Sequence, residues 1–156
     1  MSDYTPQKTY YMETNALYSL SKHFDNIANS NIKVATSLFA LQEIVDGIEE
    51  DSFHKRKILL NKLCSSSVLI YPYLPKECIT TAFHLDISGL PQIIEEKAIL
   101  LEQVKLICSS NVFDEYSTKL ADKLGIDVLA VKESNDQREQ ENKCIISEKI
   151  ESDRIY

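Results

Sequence analysis

Two carboxylates, Glu13 and Glu43, occupy positions from which they could act together on a phosphate ester. Glu13 directly follows a short aromatic run that ends at Met12, and Glu43 lies in an amphipathic stretch that begins at Leu38. Hydrolysis of a phosphodiester near neutral pH needs an activated water and neutralisation of charge on the phosphate, and a divalent cation with oxygen ligands can supply both. The alternative for each glutamate is an ordinary solvated carboxylate, at a strand end or on the flank of a helix.

The elements that would position these acids are alternating strands and helices. Glu13 is predicted to end a strand of aromatic and β-branched residues, and Asn15 to cap the helix after it. Ser37 is the predicted N-cap of the helix that carries Glu43. Acids at a strand end and on the next crossover helix converge at the carboxyl edge of a parallel sheet. The predicted elements of this half are a strand at 8–12, a helix at 16–23, a loop at 26–31, a strand at 32–36 and a helix at 38–50.

The rest of the chain continues the alternation and then becomes mainly helical. Residues 68–71 are all apolar or aromatic, which predicts a buried strand, and the order β-α-β-α-α-β-α up to residue 85 predicts an α/β sheet with a parallel core. Residues 126–131 are either a strand or the start of a helix. Residues 132–143 contain no apolar residue, which is typical of a solvated helix face or of disorder. Further helices are predicted at 53–63, 76–85, 91–108 and 114–124, with Gly125 ending the last and a weak amphipathic turn at 144–150.

Composition and charge restrict the class of protein. At 156 residues, with 44% hydrophobic and 26% charged residues, the chain fits one compact globular domain. Three Gly and four Pro are too few for an all-β sandwich or barrel. The formal charge of −7 opposes nucleic-acid binding, which uses Lys and Arg on phosphates. It does not exclude a nuclease, because carboxylates that hold a cation are themselves part of that negative charge.

The cysteines and the N-terminal residues predict a cytoplasmic protein. The four cysteines, at positions 64, 78, 108 and 144, include no Cys-x-x-Cys pair, so neither a zinc site nor a disulfide framework is expected. They are predicted to be reduced and mostly buried. No apolar run approaches the ~20 residues that span a bilayer, and the first residues lack the basic and apolar parts of a signal peptide.

Two stretches of the chain resemble the first two motifs of PIN-domain nucleases. The first is Tyr10-Tyr11-Met12-Glu13-Thr14-Asn15-Ala16-Leu17, in which a strand delivers an acid into a helix. The second is Ala35-Thr36-Ser37-Leu38-Phe39-Ala40-Leu41-Gln42-Glu43, in which a strand ends in Ser or Thr before a helix that carries Glu. The resemblance covers roughly residues 8–87. It implies a PIN-like parallel β-sheet flanked by helices over residues 1–131, of which 88–131 form a helical extension, and a polar tail at 132–156.

The resemblance also implies an activity and a set of site residues. Glu13 and Glu43 would be the catalytic ligands of Mg²⁺ or Mn²⁺, and Asn15 and Ser37 would orient them or contact substrate. The implied function is metal-dependent hydrolysis of RNA phosphodiester bonds, as in the toxins of toxin–antitoxin pairs. The implied partners are RNA, a protein inhibitor or antitoxin, and a second copy of the chain in a homodimer.

The sequence departs from the family in ways that keep other functions open. The first acid is normally Asp, and Glu13 is one methylene longer. The later acids of the family have no clear match, and Asp114, Asp127 and Asp153 are candidates by spacing alone. The alternatives are a catalytically degenerate scaffold that binds RNA or a protein partner, and a helical interaction protein. The basic run at 55–57 is predicted to be a solvated helix face, and the tyrosines at 10, 11, 18, 71 and 73 to fill the core and its rim.

Overall fold

The computed structural model describes residues 8–128 and, after them, residues 130, 131, 133, 134, 136, 137, 140, 141, 143 and 144. The described chain divides into two compact units, the first ending at Tyr116 and the second beginning at Ser117. The strands are β1 (Thr9–Tyr11), β2 (Lys33–Ser37) and β3 (Leu69–Tyr71). The α-helices are α1 (Thr14–Leu20), α2 (Phe24–Ala28), α3 (Leu38–Asp46), α4 (Phe53–Ser65), α5 (Pro75–Ala82), α6 (Pro91–Ser109) and α7 (Phe113–Leu124), and a 3-10 turn (Ser21–His23) joins α1 to α2.

The three strands form one parallel sheet in the order β1-β2-β3. In the register of this sheet, Tyr10 on β1 pairs with Val34 on β2, and Thr36 on β2 pairs with Ile70 on β3. Two successive right-handed crossovers in one direction place their helices on the same side of a sheet. This agrees with the contacts of α1 with α3, of α3 with α4 and of α4 with the 3-10 turn. The α/β prediction with a parallel core is therefore confirmed.

The strands of the sheet differ in burial. On the central strand β2 the three successive residues Val34, Ala35 and Thr36 are buried, and the Thr36 hydroxyl donates to the Met12 carbonyl at 2.9 Å. On the outer strands Tyr11 of β1 and Tyr71 of β3 are 57% and 46% exposed. Because β1 and β3 are the outer strands of a three-stranded sheet, the prediction that residues 68–71 form a buried strand is wrong. Tyr10 and Tyr73 are also about half exposed, so four of the five tyrosines lie at the rim of the core and do not fill it.

Several predicted boundaries shift for local reasons. The Asn-rich segment predicted as a loop at 26–31 begins inside α2, because Phe24 is buried and anchors a further helical turn. Helix α3 ends at Asp46 and does not extend to residue 50. On α4 the buried residues include Leu60, whereas Ile58 is 44% exposed. The left-handed backbone of Gly125, with φ of 64°, confirms it as the residue that ends α7.

From residue 128 onward the described residues are helical. Residues 128, 130 and 131 are helical, which decides between the strand and the helix predicted for 126–131. The described residues between 133 and 143 are helical and exposed, as a solvated helix face requires. The amphipathic turn predicted at 144–150 lies outside the described residues except for Cys144. None of the helices in the described part of the chain is both long and apolar enough to cross a membrane.

The guanidinium group of Arg56, on α4, caps the C-terminal end of α3. Arg56 Nη1 donates to the Ile44 carbonyl at 2.8 Å, one of the last carbonyls of the helix, and to the Glu43 carbonyl at 3.2 Å, which also accepts the Gly47 N–H. A Cβ atom at Gly47 would clash with Arg56 Nη2. The absence of a side chain at Gly47 therefore lets the guanidinium reach the end of α3.

Gly47→Ala is expected to lower the free energy of unfolding by roughly 1.5 kcal/mol, because the added methyl displaces a charged donor from two carbonyls. Chemical denaturation of the two proteins measures the difference. Gly89→Ala is the matched control, since nothing lies within 4 Å of a Cβ at Gly89. An equal loss in both variants would contradict this account of the end of α3.

Two ion pairs join α5 to α6. Glu77 is 2% exposed, and its carboxylate accepts from Lys97 Nζ at 2.6 Å and from the Leu74 N–H at 2.7 Å. The second bond caps the first turn of α5. Lys76 and Glu96 form the other pair, in which both side chains are nearly half exposed. The two helices are thus connected by one buried pair and one solvated pair.

Candidate active site

Glu13 lies where the sequence places it, between the end of β1 and the start of α1. Its backbone is extended and it occupies the N-cap position, where its carbonyl accepts the Leu17 N–H at 3.0 Å. The Glu13 carboxylate is exposed and forms no capping hydrogen bond. The prediction that Asn15 caps this helix is wrong, because the helix begins one residue before Asn15, at Thr14.

Glu43 is joined to the first motif through Thr14. The Thr14 hydroxyl donates to Glu43 Oε2, across 29 residues of sequence. Since Thr14 directly follows Glu13, this bond brings the two motifs to the same edge of the sheet, where β1 and β2 end. Glu43 is exposed, so its carboxylate is held by a side chain and remains open to solvent.

Ser37 and Asn15 have different surroundings. Ser37 is the N-cap of α3, as predicted, but its side chain does not cap the helix. Its hydroxyl is hydrogen-bonded to the Tyr11 hydroxyl at 2.8 Å, a bond that links β2 to β1 at the carboxyl end of both strands. The Asn15 side chain is exposed on the first turn of α1. Ser37 is therefore fixed in place, whereas Asn15 is presented to solvent.

The oxygen atoms at this edge of the sheet are of the types that a hard divalent cation binds. Mg²⁺ is commonly bound by one or two carboxylates together with waters and substrate phosphates. Glu13 and Glu43 supply two carboxylates, and hydroxyl and amide oxygens lie on the same segments. Among the residues that the structure describes, no three His, Cys, Asp or Glu side chains form a metal-binding group. Of the later acids that are candidates by spacing, Asp153 lies outside the described residues.

The basic run at 55–57 is partly engaged with the fold: Lys55 is exposed, whereas Arg56 and Lys57 are only partly exposed, so the prediction of a solvated helix face is wrong for these two residues. Lys55 Nζ lies 4.9 Å above the centre of the Tyr18 ring. Arg56 caps the C-terminal end of α3 through the Ile44 carbonyl, and Lys57 Nζ donates to the Ser110 carbonyl at 2.5 Å. The sequence does not distinguish these long basic side chains from solvated surface cations, because their partners are brought to them by tertiary packing. The Arg56 guanidinium, from α4, contacts the backbone of the turn of α3 that contains Glu43.

A cleft of about 180 Å³ lies between α3 and α6, and sequence reasoning did not find it. Burial in this cleft raises the pKa of the Asp46 carboxyl above its ordinary value, and a hydrogen bond with Gln42 opposes the rise. Burial, assisted by the charge of Asp46, raises the pKa of Tyr116 to about 12. An aspartate at a helix end gives no sequence signal of such a setting. The remaining lining residues are Leu74, Glu96, Ile99, Leu100 and Gln103.

Asp46 should make the protein less stable as pH rises. Its pKa is raised in the folded state, so the folded protein holds the proton more tightly and stability is lost as pH rises through the folded pKa. Asp46→Asn is therefore expected to be more stable than the wild type at pH 7, by less than about 1 kcal/mol because water screens the partly open side chain. Thermal unfolding at pH 3 and pH 7 tests this, and an advantage that is equal at both pH values would contradict it.

Comparison of the chain with protein-family models, with curated proteins and with solved structures gives no match. The fold is that of an α/β protein with a short parallel sheet, and the candidate site residues lie at the carboxyl edge of that sheet.

Proposed function

We propose that the chain is a PIN-like, metal-dependent ribonuclease whose site is the carboxyl edge of the sheet. The observation that supports this most directly is the hydrogen bond from Thr14 to Glu43, because it brings the two motif segments together and leaves both glutamates exposed. Open α/β sheets place their ligands at this edge. The resemblance of the two segments to PIN motifs gives the reaction class.

In this proposal Glu13 and Glu43 hold Mg²⁺ or Mn²⁺, which supplies an activated water and charge neutralisation on the phosphate. Thr14 orients the Glu43 carboxylate through its hydroxyl. Ser37 keeps the ends of β1 and β2 in register through its bond with Tyr11. Arg56 binds the carbonyl of Glu43 and so fixes the backbone that carries the carboxylate.

Calorimetric titration of the protein with Mn²⁺ tests the site. We expect saturable binding by the wild type, and a loss of affinity of at least about 10-fold in Glu13→Gln and in Glu43→Gln, since each substitution removes a charged oxygen ligand. Glu50→Gln, an exposed acid outside the site, serves as the control for general surface charge. No saturable binding by the wild type, or equal losses in all three variants, would reject a carboxylate metal site at this edge.

The second candidate is a scaffold that binds RNA without cleaving it. The observation that favours it is the set of half-exposed tyrosines around the sheet, Tyr10, Tyr11, Tyr71 and Tyr73. Exposed aromatic rings can stack on unpaired bases with little sequence preference. The two candidates differ in one measurement, because a scaffold would retain a labelled single-stranded RNA without shortening it in the presence of Mn²⁺.

A further inference from the structure

Helix α5 buries a charged residue and exposes apolar ones. All of its residues are described, and the one that is buried is Glu77, whose carboxylate is paired with Lys97. Ile79, on the same helix, is 61% exposed, and Phe83, which directly follows the helix, is 72% exposed. A helix on the surface of a globular protein normally buries its apolar residues and exposes its charges. The reversed arrangement of α5 is therefore typical of an interaction surface.

Exposed apolar residues continue through the connection after α5 and into the first turns of α6. Leu85, Leu90 and Ile94 are 59%, 46% and 57% exposed. Phe83 follows Ile79 by four residues, and Ile94 follows Leu90 by four residues, with the Ile94 N–H donating to the Leu90 carbonyl at 3.1 Å. Two ion pairs connect α5 to the same part of α6. We call these five residues, Ile79, Phe83, Leu85, Leu90 and Ile94, the α5–α6 apolar surface.

The area of the α5–α6 apolar surface matches one side of a protein–protein interface. Five large apolar side chains that are half exposed or more present roughly 500 Å², at about 100 Å² each. An interface of standard size buries about 800 Å² on each partner, of which roughly 450 Å² is apolar. This surface therefore contains as much apolar area as one partner contributes to a stable dimer.

The charge of the segment that carries this surface favours a second copy of the chain as the partner. Residues 78–94 contain no Lys or Arg and one carboxylate, Asp86, although the whole chain is 26% charged with a net charge of −7. The Asp86 carboxylate accepts the Ser88 N–H at 2.9 Å and the Ser88 hydroxyl at 2.6 Å, within its own turn. Two acidic chains can therefore meet here without placing many like charges together, and the segment has few charges that attract a charged partner.

We propose that the α5–α6 apolar surface is the interface of a two-fold homodimer. A two-fold axis brings the same surface of both copies together and closes the assembly at two chains. Phe83 has the largest exposed fraction among the large apolar residues that the structure describes, and aromatic residues contribute strongly to the stability of interfaces. The surface shares no residue with the carboxyl edge of the sheet, so the dimer does not depend on the proposed ribonuclease site.

Sedimentation equilibrium of the full chain, over about a 100-fold range of protein concentration, tests this interface. We expect a reversible equilibrium between one chain and two. Phe83→Ser and Ile79→Ser should each raise the dissociation constant of the dimer by at least about 10-fold. Ile58→Ser is the matched control, because Ile58 is an exposed isoleucine on α4, outside the surface, and this variant should dimerise like the wild type.

Dithiothreitol is needed in this experiment because thiols are accessible on the protein. The prediction that the cysteines are mostly buried is wrong for Cys64, Cys78 and Cys144, which are exposed free thiols. Cys78 lies on α5 itself, next to Ile79. Keeping the thiols reduced ensures that any dimer is held by packing and not by an intermolecular disulfide.

Three outcomes would overturn the proposal. One is a wild type that stays monomeric over the whole range, and another is a mass that grows beyond two chains, as a contact without a closing two-fold axis produces. The third is dimerisation that is unchanged in both serine variants, or weakened as much by Ile58→Ser. Circular dichroism verifies that each variant is folded, and if one of the two does not fold, the other carries the test. Glu43→Gln should dimerise like the wild type, which separates this result from the test of the ribonuclease site.

Discussion

Glu43→Gln is expected to lower the rate of RNA cleavage by more than about 100-fold, while the folded structure is retained. The expectation follows from the proposed function, in which Glu43 is one of two charged ligands, because loss of even a supporting group around a metal commonly costs 10-fold to 100-fold. Gln has nearly the same shape as Glu, and its amide oxygen can still accept the hydrogen bond that the Thr14 hydroxyl donates to Glu43. The measurement is initial-rate cleavage of a single-stranded RNA that carries a fluorophore and a quencher, at saturating Mn²⁺.

Two further variants separate a role at the site from a role in folding. Thr14→Val removes the hydroxyl that holds Glu43, and we expect roughly a 10-fold loss of activity, as for an orienting group. Glu50→Gln, which changes the charge of the chain equally, should keep wild-type activity. If Glu43→Gln cleaves as fast as the wild type, the ribonuclease proposal is wrong. Activity that is lost in Glu43→Gln and in Glu50→Gln alike would mean that overall charge, and not the site, controls cleavage.

The sequence predicts the order of the strands and of the helices up to Leu124, apart from the separate helix α2. Short aromatic and β-branched runs mark β1 and β2, and the prolines at 75 and 91 lie at the first positions of α5 and α6. These features are local, since each depends on a few neighbouring residues. The positions of Glu13 at a strand end and of Glu43 on the next helix follow from the same local reading.

The partners of long polar side chains could not be predicted in this way. Arg56 ends α3 through carbonyls 12 and 13 residues away, and Lys57 reaches a carbonyl 53 residues away. Glu77 resembles an ordinary acid in the first turn of a helix, and its burial depends on a lysine 20 residues later. Each of these contacts is set by tertiary packing, which a single sequence does not display.

Lys97→Met is expected to lower the free energy of unfolding by about 3–5 kcal/mol, because it leaves the Glu77 carboxylate without its cation in a buried site. The Glu77 side chain is 2% exposed and that of Lys97 is 21% exposed, so water can replace the lost partner only poorly. Lys97 Nζ also lies 5.9 Å from the centre of the Tyr73 ring, a contact that the substitution removes as well. Urea denaturation with an unchanged m-value measures the loss.

Lys76→Met is the matched control, because Lys76 also pairs across α5 and α6 but with side chains that are 44% and 48% exposed. It should cost less than about 1 kcal/mol. Equal costs for the two lysines would show that burial of Glu77 does not determine the effect. Adding Glu77→Gln to Lys97→Met should then recover much of the stability, since the amide can still accept the Leu74 N–H and leaves no buried charge. A double variant as unstable as Lys97→Met alone would instead assign the loss to the packing of the lysine stem.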